Sequence, residues 1–358
     1  MGHVAHAHGY TWAYARVCDD SVVTSKLSVP GFVNAHSHAF QRALRGRAEG
    51  DDFWTWRDVM YAEAERQTPE IVRRSYVDVY REMRAAGYTA VGEFHYLGVE
   101  AAFAAGEAAE EAGIAIVILY AAYARGGLPR FRQESVSQYL REVEALRERG
   151  IAVAVAPHSV RACPEEWLTE IARYADDVGA LLHVHACEQL REIEECVAEY
   201  DVRPIEVLAR TGCLGPHTTI IHGTHASDSE LDLVRDAGSL ICACPTTEAN
   251  LGDGYLPIAK LCDRGIGVCI GSDSNVRIDP LEELREIEGI ARRDALKRNV
   301  VSTSTLLSFG TDEGARALGL QRWDEVALDL EHRTLRDVPE DAIYDALVFS
   351  ADASVFVQ

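Results

Sequence analysis

Short, unbroken apolar runs alternate along the chain with amphipathic segments rich in Glu and Arg that end near glycine. LSVPGFVNAH is the first run, and a long helical region over about 53–86 follows it. TAVGEFHY, IAIVILYAA, IAVAVAPHS, ALLHVHACE, TTIIHGTHA, SLICACPTT and IGVCIGSDS then bring the strand-like runs to eight. Helical candidates such as SVSQYLREVEALRERG and DSELDLVRDAG separate them. Strands that are apolar on both faces, with helices between, predict a parallel sheet buried on both sides. Eight such units predict an α/β fold of the closed (β/α)8 barrel type. Periodicity does not distinguish closure from an open, doubly wound sheet, which is the alternative.

After about residue 319 the pattern changes. WDEVALDLEHRTLRDVPEDAIYDALVFSADASVFVQ reads as strands and turns with little helical periodicity. It is expected to pack with the residues before Lys26 as a small, reduced β appendage. The expected organisation is therefore an N-terminal piece of that appendage at 1–27, a barrel at 28–320 and a C-terminal β-like segment at 321–358. The opening MGHVAHAHGYTW lacks the basic and apolar regions of a signal peptide.

Composition narrows the function classes. With 358 residues, 47 % of them apolar, the chain can bury a large core. No run of about 18 apolar residues suggests a membrane span. A formal charge of −22 argues against a nucleic-acid partner, which needs a basic face. Almost all positive charge is arginine, the lysines being Lys26, Lys260 and Lys297. The nine cysteines are scattered, without a C-x-x-C pair, and predict free thiols in a reducing, cytoplasmic setting.

The candidate chemistry falls at the ends of the strand-like runs, where barrels place function. His36 and His38 end the first, Glu93, His95 and Tyr96 the second, and His158 the fourth, with Arg161 close behind. His183, His185 and Glu188 follow on the fifth, His222 and His225 on the sixth, and Asp273 on the eighth. Residues i and i+2 of a strand share a face, so His36 and His38 can hold one cation. His185 and Asp273 would complete a His3Asp set, with a position left for water, suited to Zn2+ and compatible with Fe2+ or Mn2+. His6 and His8 follow no apolar run and read as a tail. Cys242 and Cys244 share a face and read as core. Glu248, Asn250 and Asp253, in the loop after the seventh run, are candidates for shaping a pocket.

The order H-x-H, H-x-x-E, His and SDS resembles the amidohydrolase superfamily, in its one-metal deaminase branch. HSHAFQRAL, FWTWRDVMY, GYTAVGEFHY, HSVRA, HACEQ, HGTHA and TTEANLGDG together are similar to the formimidoylglutamate deiminases of histidine degradation, from about 29 to 347. The resemblance implies one metal per chain on His36, His38, His185 and Asp273. It implies that His222 stands beside the hydrolytic water and that Glu188 shuttles protons. Gln41, Arg57, Tyr96, His158 and Arg161 are implied to grip the substrate, and a homodimer follows from family analogy. The chemistry of a dicarboxylate amidine fits, because Arg57 and Arg161 can each bind a carboxylate. A related deaminase of a nucleobase or another amidine is the alternative. A non-enzymatic, metal-retaining binding module is a third reading, against which Glu188 and His222 argue.

Overall fold

A computed structural model describes residues 26–47, 49 and 52–357. The His6–His8 pair and most of the 1–27 segment lie outside the described residues. Eleven strands occur among the described residues: β1 Lys26–Pro30, β2 Phe32–Ser37, β3 Tyr88–His95, β4 Ala115–Ala122, β5 Val153–Pro157, β6 Leu182–Ala186, β7 Thr218–His222, β8 Leu240–Ala243, β9 Val268–Ile270, β10 Glu325–Asp329 and β11 Phe356–Val357. The helices that the site depends on are α1 Phe53–Arg66, α2 Pro69–Ala85, α3 Val99–Ala112, α4 Val136–Glu148, α5 Glu165–Val178, α6 Leu190–Tyr200, α7 Pro204–Arg210, α8 Asp228–Ala237 and α9 Pro245–Leu251. They are followed by α10 Ile258–Arg264, α11 Pro280–Ala295, α12 Thr303–Gly310, α13 Asp312–Ala317 and α14 Ile343–Ser350.

Strands β2 to β9 form one eight-stranded parallel sheet in sequence order. It nearly closes on itself. Ser37 bridges Asp273 in parallel register, the His38 amide donates to the Asp273 carbonyl at 2.8 Å, and the Asp273 amide donates to the His36 carbonyl at 3.0 Å. The barrel expected from the eight runs is therefore the observed fold. Strands β2, β3, β6, β7 and β8 are buried along their whole length, as a sheet filled inside and covered by helices must be.

The first apolar run is two strands rather than one. Lys26–Pro30 pairs antiparallel with β10, which pairs with β11, in a separate three-stranded sheet built from both chain ends. Gly31 makes the break, because a Cβ there would lie 2.3 Å from the Thr89 side chain. The helical region at 53–86 is likewise two helices. Thr68 caps α2 by accepting from the Ile71 amide, and Pro69 occupies its first turn, where a missing N–H costs nothing. The C-terminal segment contains a helix, α14, where strands and turns are expected from sequence. Its residues IYDALVFS make about two turns, too few for a period to show. Arg285 of α11 fixes it by donating to the carbonyls of Val348 and Ala351 at 3.0 and 2.7 Å.

The amphipathic segments of α4 and α8 begin on side-chain caps. Ser135 caps α4, and Ser227 with Glu230 forms a capping box on α8. No helix among the described residues is long and apolar enough to cross a membrane. The cysteines among them are free, and all but Cys262 are buried.

Candidate active site

The alternation of β2 turns His36 and His38 to the same interior, as their spacing predicts. His185 at the end of β6 and Asp273 after β9 meet them there. His185 Nε2 lies 3.2 Å from His36 Nε2, while Asp273 Oδ1 is 3.4 Å from His36 Nε2 and 3.5 Å from His38 Nε2. Four atoms set tetrahedrally about 2.0–2.1 Å from one centre are mutually about 3.4 Å apart. The three spacings in this cluster are close to that value.

The hydrogen bonds behind the rings say which nitrogens face inward. His38 Nδ1 donates to the Phe94 carbonyl and His185 Nδ1 to the His158 carbonyl, both at 3.1 Å. Each then presents a bare Nε2 to its neighbours. Lone pairs gathered this closely repel unless a cation lies between them, so the donor set fits a divalent metal. Burial holds these imidazoles in the neutral, ligating form. It lowers the pKa of His38 to about 3, with help from His36, and those of His36 and His185 well below the usual value. Phe94 packs edge-on among the rings, with centroids 5.2 Å from His36, 5.3 Å from His38 and 4.6 Å from His185.

The turn that carries Asp273 is locked by a polar network buried beneath it. Asn34 donates to Ser272 Oγ at 2.7 Å and accepts from the Ser272 amide at 3.0 Å. Asn275 accepts from Ser272 Oγ at 2.6 Å and donates to Ser37 Oγ at 3.1 Å. Asp273 and Asn275 take left-handed φ values of 44° and 55°, conformations that persist where the surroundings over-determine them. Gly271 lets the strand end approach, since a Cβ there would lie 2.8 Å from the His36 Cβ and carbonyl oxygen.

Beside this cluster stand His222 and Glu188. His222 Nε2 is 3.6 Å from Glu188 Oε1 and 3.7 Å from Asp273 Oδ2, and its Nδ1 contacts Glu248 Oε1 at 3.2 Å. Burial opposes a charge on His222, but the carboxylates of Glu188, Glu248 and Asp273 raise its pKa to about 10. A bound divalent cation would work in the opposite sense. His183 lies apart from the cluster and hydrogen-bonds the Ala317 carbonyl at 2.9 Å, a core contact.

A cavity of about 310 Å3 opens above His38, His185, His222, Glu188 and Asp273. Gln41, Arg57, Tyr96, His158 and Arg161 all line it. Gln41, on a 3-10 turn after β2, donates to Tyr96 Oη at 3.1 Å. His158 stacks on His185 with centroids 4.7 Å apart. Arg161 donates to Glu188 Oε2 at 3.3 Å, and its Nε is buried without a partner. Burial works against the Arg161 charge, while Glu192 and Glu188 hold its pKa above the usual arginine value. Arg57 lies 4.6 Å over the Trp54 ring and 3.8 Å from Asp58, too far for a hydrogen bond, and its Nε is also unpartnered.

Sequence reasoning missed several residues that shape this site. Arg191 lies over the Trp54 ring at 4.2 Å, and Arg125 spans Glu199, Val160 and Arg161. Glu192 accepts from the Glu188 amide at 3.0 Å. Phe94 and Asn34 were read only as strand residues. Glu248 was noted in sequence, but its contact with His222 was not.

Comparison with known proteins identifies the family. The amidohydrolase family model matches residues 27–326. Formimidoylglutamate deiminase of Pseudomonas aeruginosa is 33 % identical, over 90 % of this chain and 80 % of the relative. A 5-methylthioadenosine/S-adenosylhomocysteine deaminase of Haloarcula marismortui is 29 % identical, over 84 % of this chain and 70 % of the relative. Among solved structures, an amidohydrolase from Brucella melitensis superposes with a TM-score of 0.84 at 32 % identity, covering 92 % of this chain and 84 % of that one. A zinc-bound adenosine deaminase from Xanthomonas campestris, at 23 % identity and a TM-score of 0.83, covers 92 % of this chain and 77 % of that one and shares the fold. The chain belongs to the amidohydrolase family.

Proposed function

We propose that this chain hydrolyses N-formimidoyl-L-glutamate to N-formyl-L-glutamate and ammonia, with one divalent cation, zinc by preference, on His36, His38, His185 and Asp273. The observation that carries the substrate is the pair Arg57 and Arg161. Both line the cavity above the histidine cluster, and each keeps a buried Nε without a partner. Two guanidinium groups suit two carboxylates, each through charge-assisted and, in favourable geometry, bidentate bonds. The 33 % identical deiminase supports the same substrate.

When bound, the cation would act as a Lewis acid and bring the pKa of water to about 7. The protein does the rest. Asp273 Oδ2 and His222 Nε2, 3.7 Å apart, orient the water and take up its proton as it attacks the formimidoyl carbon. Glu188 carries a proton to the imino nitrogen, the proton of the new hydroxyl follows through Asp273, and the carbon–nitrogen bond breaks with release of ammonia as the C=O bond forms. Arg57 and Arg161 hold the glutamate carboxylates, while Gln41, Tyr96 and His158 fix the amidine end.

One observation favours a second reading. Tyr96, Tyr123, Trp54 and Trp56 also line the cavity, flat aromatic walls suit a purine, and 5-methylthioadenosine/S-adenosylhomocysteine deaminases are among the relatives. Ammonia release separates the two. The zinc-reconstituted protein is assayed on N-formimidoyl-L-glutamate beside guanine, cytosine, 5-methylthioadenosine and N-formimidoyl-glycine. Fast release from the glutamate compound alone supports the proposal. Release from a purine instead, or no release from folded protein holding one metal, rejects it.

A further inference from the structure

Glu248 lies in the first turn of α9, and its side chain is 2 % exposed. Its Oε1 accepts from the Cys244 amide at 2.9 Å and meets His222 Nδ1 at 3.2 Å. A neutral imidazole carries its proton on one nitrogen and accepts at the other, whereas a carboxylate only accepts. His222 Nδ1 is therefore the donor in this contact. The opposite nitrogen, Nε2, is buried without a hydrogen-bond partner and lies between Glu188 Oε1 and Asp273 Oδ2 at 3.6 and 3.7 Å. His222 itself sits at a φ of 72°, a left-handed conformation that needs the surroundings to hold it.

We propose that Glu248 is a positioning residue for the hydrolysis. It holds His222 by Nδ1–H, and so presents Nε2 to the water that attacks the substrate. The inference rests on the reading of His222 as the neighbour of that water, and it adds the residue that sets the ring's orientation and proton. Glu248 does not line the cavity. A base presented through the wrong tautomer loses most of its catalytic effect.

The test uses zinc-reconstituted protein labelled with 15N at histidine, with His222 assigned by loss of its signals in His222→Gln. Long-range proton–nitrogen spectra without substrate are expected to show Nδ1 protonated. Because the same Oε1 serves Cys244 and His222, Glu248→Leu, which removes the acceptor, is the informative variant and is expected to shift protonation toward Nε2. On the substrate found by ammonia release, the same variant is expected to lose about 10²-fold or more in kcat. KM should stay within about twofold and zinc at one per chain, the signature of an interaction made only in the transition state. Glu248→Asp, which keeps an acceptor, is expected to recover part of the loss. Bare Nδ1 in the wild-type holoenzyme overturns the proposal, and so does wild-type kcat in Glu248→Leu. Because His222, Cys244 and Glu248 also lie close enough to ligate an ion, a second zinc equivalent that disappears in Glu248→Leu overturns it too. The spectra need no substrate, so this inference and the formimidoylglutamate reading fail separately.

Discussion

Arg161 holds Glu188 through Oε2, and Glu188 Oε1 lies 3.6 Å from His222 Nε2, beyond hydrogen-bond reach. Glu188 is not among the four residues proposed to hold the metal. Replacing it with glutamine should therefore lower kcat by about 10²–10⁴-fold while zinc stays at one per chain; metal analysis of the purified variant checks this, and loss of zinc would make Glu188 a ligand. The two arginines should separate in their effects. Arg57 touches no catalytic group, so Arg57→Met should chiefly raise KM, by roughly 10- to 100-fold for a lost charge-assisted bond worth about 1.5–3 kcal/mol. Arg161 also tethers Glu188, so Arg161→Met should raise KM and lower kcat together. Steady-state kinetics on N-formimidoyl-L-glutamate tells the two patterns apart. An equal, purely structural loss in both variants would sink the carboxylate assignment.

At the scale of elements, the placement of the site depends on how closely β9 approaches β2. Gly271→Ala puts a methyl 2.8 Å from His36, an overpacking that costs about 1–3 kcal/mol and should weaken zinc binding, as competition with a chromogenic chelator would show. Thr68→Ala removes the cap of α2 and should cost about 1 kcal/mol without touching kinetics; denaturant unfolding beside an activity assay checks both halves. The eight strands and the shared inward face of His36 and His38 were legible because a strand's period of two is local: H-x-H states its own geometry. The break between α1 and α2 was also written locally, in Thr68-Pro69, although the apolar pattern runs across it. Glu248, Phe94 and the Asn34–Ser272–Asn275 network were not legible as site residues. Their partners come from distant strands, and nothing in a buried Phe or Asn distinguishes a support for a metal site from ordinary core. The helix α14 was hidden by being short and almost wholly apolar.

Across the whole molecule, buried titratable groups set how stability varies with pH. Burial lowers His95 and His183 from 6.5 to about 4. Between those values the unfolded chain binds protons that the folded one refuses, so their contribution is fully present above pH 6.5 and lost as pH falls toward 4. Glu93, raised by burial from 4.5 to about 8, works in reverse: its contribution is complete below pH 4.5 and lost as pH rises through 8. His183→Gln should therefore flatten the acid side of the unfolding-midpoint curve, and Glu93→Gln should gain on the wild type as pH rises; parallel curves would contradict both. The seam between β2 and β9 has a larger consequence. His36 and His38 stand on one lip of it and Asp273 on the other, so the ion proposed to bind there would tie the first stave of the barrel to the last. In polymer terms it would be a reversible cross-link that closes nearly the whole barrel into a ring and restricts the unfolded chain. Chelation should then do more than stop turnover. The amides of His38 and Asp273 should exchange their hydrogens faster, ahead of the rest of the sheet, as the hoop comes unbuckled at one joint.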